Sequence, residues 1–320
     1  MRWGLGGERR HIPRATMLES AMRHLVRRFV SVAAVAVAAL AWLAGTLALG
    51  TATSSGATAT VALMTLGLLA GGVLLLIRHS LDLAARIGQL STESQRSLGV
   101  ARRIESRLGT ELKQTFRQVE AIQNLSAMLP TSDVLPATRG WAASPDLLLV
   151  LVDELIARRP SLVVECGSGA STLWLALALR RFGIDGRVVA LDHDPVFAAI
   201  TRNFLARHGV SDVAEVRDAP LEELSLAGGT YLWYARRAWK DLTGIDLLFV
   251  DGPPAATGAK ARYPALPLLR EALNPAATVV VDDLVVPDMQ ETLRLWLDAY
   301  PEFSSAILPL EKQAALLRQG

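Results

Sequence analysis

The sequence predicts an α/β domain with a doubly wound, mostly parallel sheet, preceded by a two-helix membrane hairpin and a helical stalk. Three observations predict it. Short apolar runs alternate with helical stretches between residues 162 and 283, the pattern of parallel strands joined by crossover helices. Each of those runs ends in an acid: Leu162–Glu165, Val188–Asp192, Val213–Asp218, Asp246–Asp251 and Thr278–Asp283. Two uncharged runs, Phe29–Leu49 and Ala57–Ile77, precede the domain. Each is long enough to cross a hydrocarbon core of about 30 Å.

From the N-terminus, residues 1–28 are basic, with Arg9, Arg10, Arg14, Arg23, Arg27 and Arg28 among few acids. The apolar runs 29–49 and 57–77 are joined by the small, uncharged 50–56, which reads as a tight hairpin. Arginines flank it on both sides, with Arg78 and Arg86 after it, so the positive-inside rule expects both ends in the cytoplasm. A cleaved signal peptide is the alternative, but its apolar core is shorter and no second span follows it. Gly67 and Gly71 form a small-residue seam in the second span.

Residues 78–128 are polar, with apolar residues at helical spacing: Ile104, Leu108, Leu112, Phe116, Val119 and Ile122. A plain helical stalk and a coiled coil that would make a homodimer both fit. Gly88, Gly99 and Gly109 interrupt the heptads and favour the stalk. Pro130, Pro136 and Gly140 mark the boundary of a domain covering 129–320. Ser144-Pro145-Asp146 reads as a helix cap, a first-turn proline and a first-turn acid. After the fifth strand come a helix, Met289–Tyr300, and a closing hairpin of Ser304–Leu308 and Ala314–Leu317.

Composition narrows the function. Lys+Arg (33) and Asp+Glu (31) nearly balance, so overall charge gives no reason to expect nucleic acid. The single cysteine, Cys166, excludes an intramolecular disulfide and a cysteine-based zinc cluster. No histidine is spaced to activate it, so it reads as a small packed residue.

The chemistry is expected around Glu165-Cys166-Gly167-Ser168-Gly169-Ala170-Ser171-Thr172, where a strand runs through a glycine turn into a helix. Gly167 and Gly169 permit a sharp turn and close approach of a ligand. The helix N-terminus, with Ser171 and Thr172, offers an anion site. A dinucleotide fingerprint would place a third glycine at Thr172. A carboxylate at Glu165 would repel a pyrophosphate, but it suits a cationic ligand such as S-adenosylmethionine. Acids at the carboxyl ends of strands face the ligand crevice of an open α/β sheet.

These residues resemble the class I S-adenosylmethionine-dependent methyltransferases, with a Rossmann-like sheet, over about Trp141 to Gly320. Glu165 to Ser171 resembles the family's first motif. Val189 to Pro195 is similar to its second, in which Asp192 would hold the ribose hydroxyls and His193 would lie near adenine. His193 as a general base is the less favoured alternative. Asp218 and Ala219 match the third-strand position near adenine. Asp246 to Pro254 resembles the fourth-strand motif. Asp251 with Asp282 and Asp283 resembles the catechol and caffeoyl-CoA O-methyltransferase group, in which acids at these strand ends bind a divalent ion.

The resemblance implies S-adenosyl-L-methionine as cofactor and Mg²⁺ or another divalent cation at Asp251, Asp282 and Asp283. Two departures stand out: Asp283 where the group often has Asn, and Pro254 where catechol enzymes carry a lysine base. Lys260 and Tyr263 are then the nearby alternatives for that base, with Lys260 and Asp251 expected as the catalytic residues. The acids could instead orient backbone amides, or pair with Lys260 or Arg262. Residues 255–263 read as a mobile substrate loop. Trp233-Tyr234 and Trp239, in a connecting helix, read as core before substrate stacking. The expected function is methylation, at an oxygen, of a small-molecule, glycan or lipid-linked acceptor at the cytoplasmic face of a cell membrane. A non-catalytic scaffold and an aminopropyl transferase are the alternatives.

Overall fold

The computed structural model describes residues 36–37, 39–41, 44–45, 56–131, 133–226 and 229–320. The chain divides into two units, 1–105 and 106–320. The basic N-terminus and most of the expected first span, 29–49, lie outside the described residues.

Helix α1 (Gly56–Met128) runs for 73 residues without a break. It contains the second expected span at its start and the stalk after it. The stalk is helical as expected, and Gly88, Gly99 and Gly109, which interrupt the heptads, lie within the unbroken helix. Each costs about 1 kcal/mol relative to alanine, which a long helix tolerates. By length and composition α1 can cross a membrane: its most apolar window has a mean hydropathy of 1.6 and none of it is buried. Among the described residues it is the one helix that passes this test.

In the second unit the end of α1 packs Leu125, and Leu129 just beyond it, against α2 (Pro145–Arg158). The cap of α2 differs from expectation. The Ser144 hydroxyl donates to Asp146 Oδ1 at 2.5 Å instead of capping the helix. The first-turn N–H groups are taken by Gln118 Oε1, which accepts from Asp146 at 3.2 Å, and by Asp146 Oδ1, which accepts from Leu147 at 3.0 Å. A side chain from α1 therefore closes the helix end and fixes how the two helices meet.

The sheet follows: β1 (Leu162–Cys166), α3 (Ala170–Arg181), β2 (Arg187–Asp192), α4 (Pro195–Arg207), β3 (Ala214–Asp218), then a hairpin of β4 (Leu221–Leu226) and β5 (Gly229–Tyr234). It continues through β6 (Ile245–Val250), α5 (Ala265–Leu269), β7 (Leu273–Val281), α6 (Pro287–Ala299), β8 (Phe303–Leu308) and β9 (Ala314–Gln319). Seven strands lie in the order β3-β2-β1-β6-β7-β9-β8. The first five are parallel, and β9 is antiparallel to both β7 and β8. The order reverses between β1 and β6, which puts the ligand crevice at their carboxyl ends.

Alternation along the buried strands divides the core. Val163 and Phe249 face the layer of α2, α3 and α4, while Val164, Cys166 and Val250 face the layer of β5, α5 and α6. The β4–β5 hairpin corrects the expected connecting helix: Tyr231, Trp233 and Tyr234 sit on a strand, and all three are buried. Their alternation with Thr230 and Leu232, together with Gly229, favours a strand over a helix.

Candidate active site

The turn after β1 is held from inside. Glu165 is buried, and both of its carboxylate oxygens accept hydroxyls from the first turn of α3, Ser171 on Oε1 and Thr172 on Oε2. Thr172 Oγ1 also accepts the Gly169 N–H at 3.0 Å. The hydroxyls expected to form an anion site thus point inward and brace the loop. Burial pushes the Glu165 carboxyl up to about 7, with Asp192 adding to the rise and the two hydroxyls opposing it. Gly167 lies in the left-handed region at φ 107° and donates to the Leu191 carbonyl at 2.9 Å, which ties the loop to β2.

Asp192 ends β2 nearly buried, at 6% exposure. One oxygen accepts the Ser168 hydroxyl, and the other accepts the Asp194 N–H at 3.0 Å. Ser168 is also 3.1 Å from Thr201 Oγ1 on α4. His193 Nδ1 stands 3.8 Å from Asp192 Oδ1, with the ring partly open to solvent. The Ala219 N–H donates to the Asp192 carbonyl at 2.7 Å, so Ala219 lies against this corner, fully buried. Asp218 is turned outward: its carboxylate pairs with Arg202 at 2.6 Å and its side chain is 63% exposed. The structure thus groups Gly167, Ser168, Asp192, His193 and Ala219 along one edge, with Asp218 engaged beside it.

The ends of β1, β6 and β7 meet next to this edge. The Asp251 N–H donates to the Cys166 carbonyl at 3.1 Å, and the Asp282 N–H to the Val250 carbonyl at 3.2 Å. Gly252 leaves no room for a side chain, since a Cβ there would fall 2.4 Å from Tyr234 Oη and 3.0 Å from the Cys166 carbonyl oxygen. The Tyr234 hydroxyl is buried without a hydrogen-bond partner, between the glycine loop and Asp251. Cys166 is fully buried and its thiol is pushed far up by burial, so it packs and does not react.

Carboxylate oxygens of Asp251, Asp282 and Asp283 lie within 4.8 Å of one another, as the strand ends predicted. Two cations enter the group. Arg262, at 8% exposure, reaches Asp283 Oδ2 at 2.8 Å and Asp251 Oδ1 at 3.3 Å. Lys312, in the turn between β8 and β9, stands 3.5 Å from Asp283 Oδ1 and 3.8 Å from Asp282 Oδ2. Burial pushes the Asp251 carboxyl well up, with Asp282 and Asp283 adding to the rise and Arg262 opposing it. Burial pushes Asp282 up to about 6, with Asp283 adding to the rise and Lys312 opposing it.

Lys260 is not drawn into this group. It sits at φ 50°, donates its backbone N–H to Asp288 Oδ2 at 2.6 Å, and pairs with none of the three acids. Of the two cations expected as possible partners of the acids, Arg262 is the one that pairs with them. The expected mobile loop also ends in buried residues, Ala261, Arg262 and Tyr263, because the arginine must stay with its acids. Sequence reasoning missed Lys312, which looks like a solvent-facing residue of a hairpin turn.

A glycine loop at the switch point, a buried acid ending β2, and a sheet closed by a reversed last strand lie together in the second unit. Residues 164–284 match the family described as a methyltransferase domain. A catechol O-methyltransferase of Mycobacterium tuberculosis is 35% identical over 167 residues, covering 50% of this chain and 64% of that protein. The chain thus spans less than two thirds of that relative's length. Among solved structures, a methyltransferase from Geobacter sulfurreducens is similar at 19% identity and a TM-score of 0.44, covering 67% of this chain and 96% of that one. An O-methyltransferase from Bacillus cereus in complex with SAH is similar at 20% identity and a TM-score of 0.43, covering 63% and 90%.

Proposed function

We propose that this chain is a membrane-attached S-adenosylmethionine-dependent O-methyltransferase acting on a small-molecule, glycan or lipid-linked acceptor at the cytoplasmic face. The observation that carries the reading is the corner where Asp192, braced by Ser168 and Asp194, stands beside the left-handed Gly167 at the end of β1. A buried carboxylate with a solvent-side edge suits the paired hydroxyls of a ribose. The left-handed turn at Gly167 carries no side chain, which lets the loop backbone come close to the cofactor. Glu165 lies beneath the loop, where its ionised form would favour the ammonium of the cofactor.

In the reaction the acceptor oxygen attacks the methyl carbon as the carbon–sulfur bond breaks. The bonding pair stays on sulfur, which becomes a neutral thioether, and the hydroxyl proton leaves to a base. The protein's part is mainly to hold the two reactants in line. The exposed apolar stretch of α1 from Leu63 to Ile77, and the uncharged run 29–49 before it, support a membrane hairpin with cytoplasmic ends. The polar part of α1 supports either a spacer or a pairing of two copies.

The test has two parts. The full chain in detergent is titrated with S-adenosylmethionine and with NAD, and preference for NAD overturns the reading. Membranes containing the protein are then incubated with methyl-labelled cofactor and the labelled product is identified. A labelled ether or ester that disappears with Asp192→Ala supports O-methylation.

A further inference from the structure

The acid triad at the ends of β6 and β7 carries its own counterions, and this bears on the methyltransferase reading on which the inference rests. Three hard carboxylates within 4.8 Å would by themselves suit Mg²⁺. Here Asp251 Oδ1 and both oxygens of Asp283 already face a cation, while Asp282 Oδ2 is buried without a hydrogen-bond partner, 3.8 Å from the Lys312 ammonium. Arg262 bridges Asp251 and Asp283, at 3.3 and 2.8 Å, and also donates to the Pro253 and Asp282 carbonyls, each at 3.4 Å. Lys312 faces Asp282 and Asp283 and donates to the Ala142 carbonyl at 3.2 Å.

A guanidinium keeps its charge at any accessible pH, so Arg262 cannot make way for an ion by losing a proton. A buried guanidinium stripped of its acids is strongly unfavourable. A divalent ion among these oxygens would face two fixed positive charges and would take from Arg262 the partners that justify its burial. The donor set therefore does not fit a divalent ion while both cations are in place.

The cations come from two separate segments. Arg262 belongs to the segment after β6, and Lys312 to the turn between β8 and β9, where the Lys312 carbonyl accepts the Val285 N–H at 3.0 Å. Their ion pairs join both segments to the strand ends that form the crevice. We propose that Arg262 and Lys312 take the place of a divalent ion at Asp251, Asp282 and Asp283, as positioning residues that hold the crevice, so that cofactor binding and methyl transfer proceed without metal.

The test uses the full chain in detergent, stripped with EDTA. Mn²⁺ is titrated in and the free ion is followed by electron paramagnetic resonance, while S-adenosylmethionine binding is measured by calorimetry with EDTA and with Mg²⁺. The expected results are no stoichiometric Mn²⁺ binding and the same cofactor affinity in both buffers. Melting temperatures supply the second readout. Arg262→Gln and Lys312→Met should each lower the transition. The loss should shrink when Arg262→Gln is made with Asp251→Asn, or Lys312→Met with Asp283→Asn. If Arg262→Gln does not fold, the Lys312 and Asp283 pair carries the same comparison. One Mn²⁺ bound per chain and lost in Asp251→Asn, or strictly additive melting shifts, would overturn the proposal. A chain that binds no cofactor in either buffer counts against the methyltransferase reading, while the Mn²⁺ titration still judges the cation pair.

Discussion

Replacing Glu165 with glutamine should make the protein more stable at alkaline pH and little different at acid pH. The carboxyl is fully enclosed, and burial raises it from 4.5 to about 7. Well below its unfolded value it is protonated in both states and costs nothing. Between about 4.5 and 7 the unfolded chain releases its proton first, so stability falls as pH rises. Above about 7 both states are ionised and the full cost stands. At 1.36 kcal/mol per pKa unit this change amounts to about 3 kcal/mol, most of it accrued between pH 5 and 8.

Glutamine has the same shape and carries no charge. Its amide oxygen accepts one of the two hydroxyls, and the other hydroxyl rotates to accept from the amide nitrogen. Melting temperatures of the full chain in detergent, measured from pH 5 to 8 without cofactor, should therefore diverge by about 5–10 °C in favour of Glu165→Gln at the alkaline end. The cofactor should reverse the preference. An ammonium beside Glu165 favours the ionised form, so wild-type affinity should rise through pH 7 and the variant's should not. A constant difference in melting temperature across the range would refute the burial argument. A pH-independent wild-type affinity would place the ammonium elsewhere.

Asp192→Ala should weaken S-adenosylmethionine binding by about 1–3 kcal/mol in calorimetry, the scale of lost hydrogen bonds to a charged group. Gly252→Ala should strongly destabilise the domain, because its Cβ would lie 2.4 Å from Tyr234 Oη. Adding Tyr234→Phe should recover much of the loss in thermal melts, and no recovery would mean that the Cys166 carbonyl is the limiting contact. Activity reporters fused at Gly320 and within residues 51–56 should read cytoplasmic and external, respectively, and an external signal at Gly320 would contradict the proposed topology.

The strand framework was legible because buried parallel strands read as near-continuous apolar runs, and those of β1, β2, β6 and β7 are unambiguous. The β4–β5 hairpin was not. Its first strand, Leu221–Leu226, mixes Glu222, Glu223 and Ser225 with leucines, because one face is open to solvent. Its second strand carries three large aromatics, which suggest core without saying which element holds them. The stalk part of α1 was legible as a helix. Its glycines interrupt the heptads without breaking the helix, since an exposed helix loses only propensity at such positions.

The acids of the site were legible as a series, and Arg262 as one of two candidate partners, but Lys312 was not, for a reason that lies in the topology. A parallel strand delivers its last residue to the crevice, so an acid at the end of each run points to the site. An antiparallel strand delivers its first residue there. Because β9 runs against β7, with Ala315 opposite Val281, the turn at 309–313 lies beside Asp282 and Asp283. Lys312 is therefore at the crevice because the last strand is reversed, although locally it resembles any lysine in a hairpin turn. The same reasoning can be run from sequence alone in this fold: residues just before the reversed strand belong with residues just after the strand it pairs with. A cation there and acids here then form a pair to be tested together, so Lys312→Met should perturb Asp282 and Asp283 more than Lys260→Met, whose backbone is fixed by Asp288 instead. Equal effects of the two substitutions on the melting transition and on cofactor affinity would show that the turn does not act through the triad.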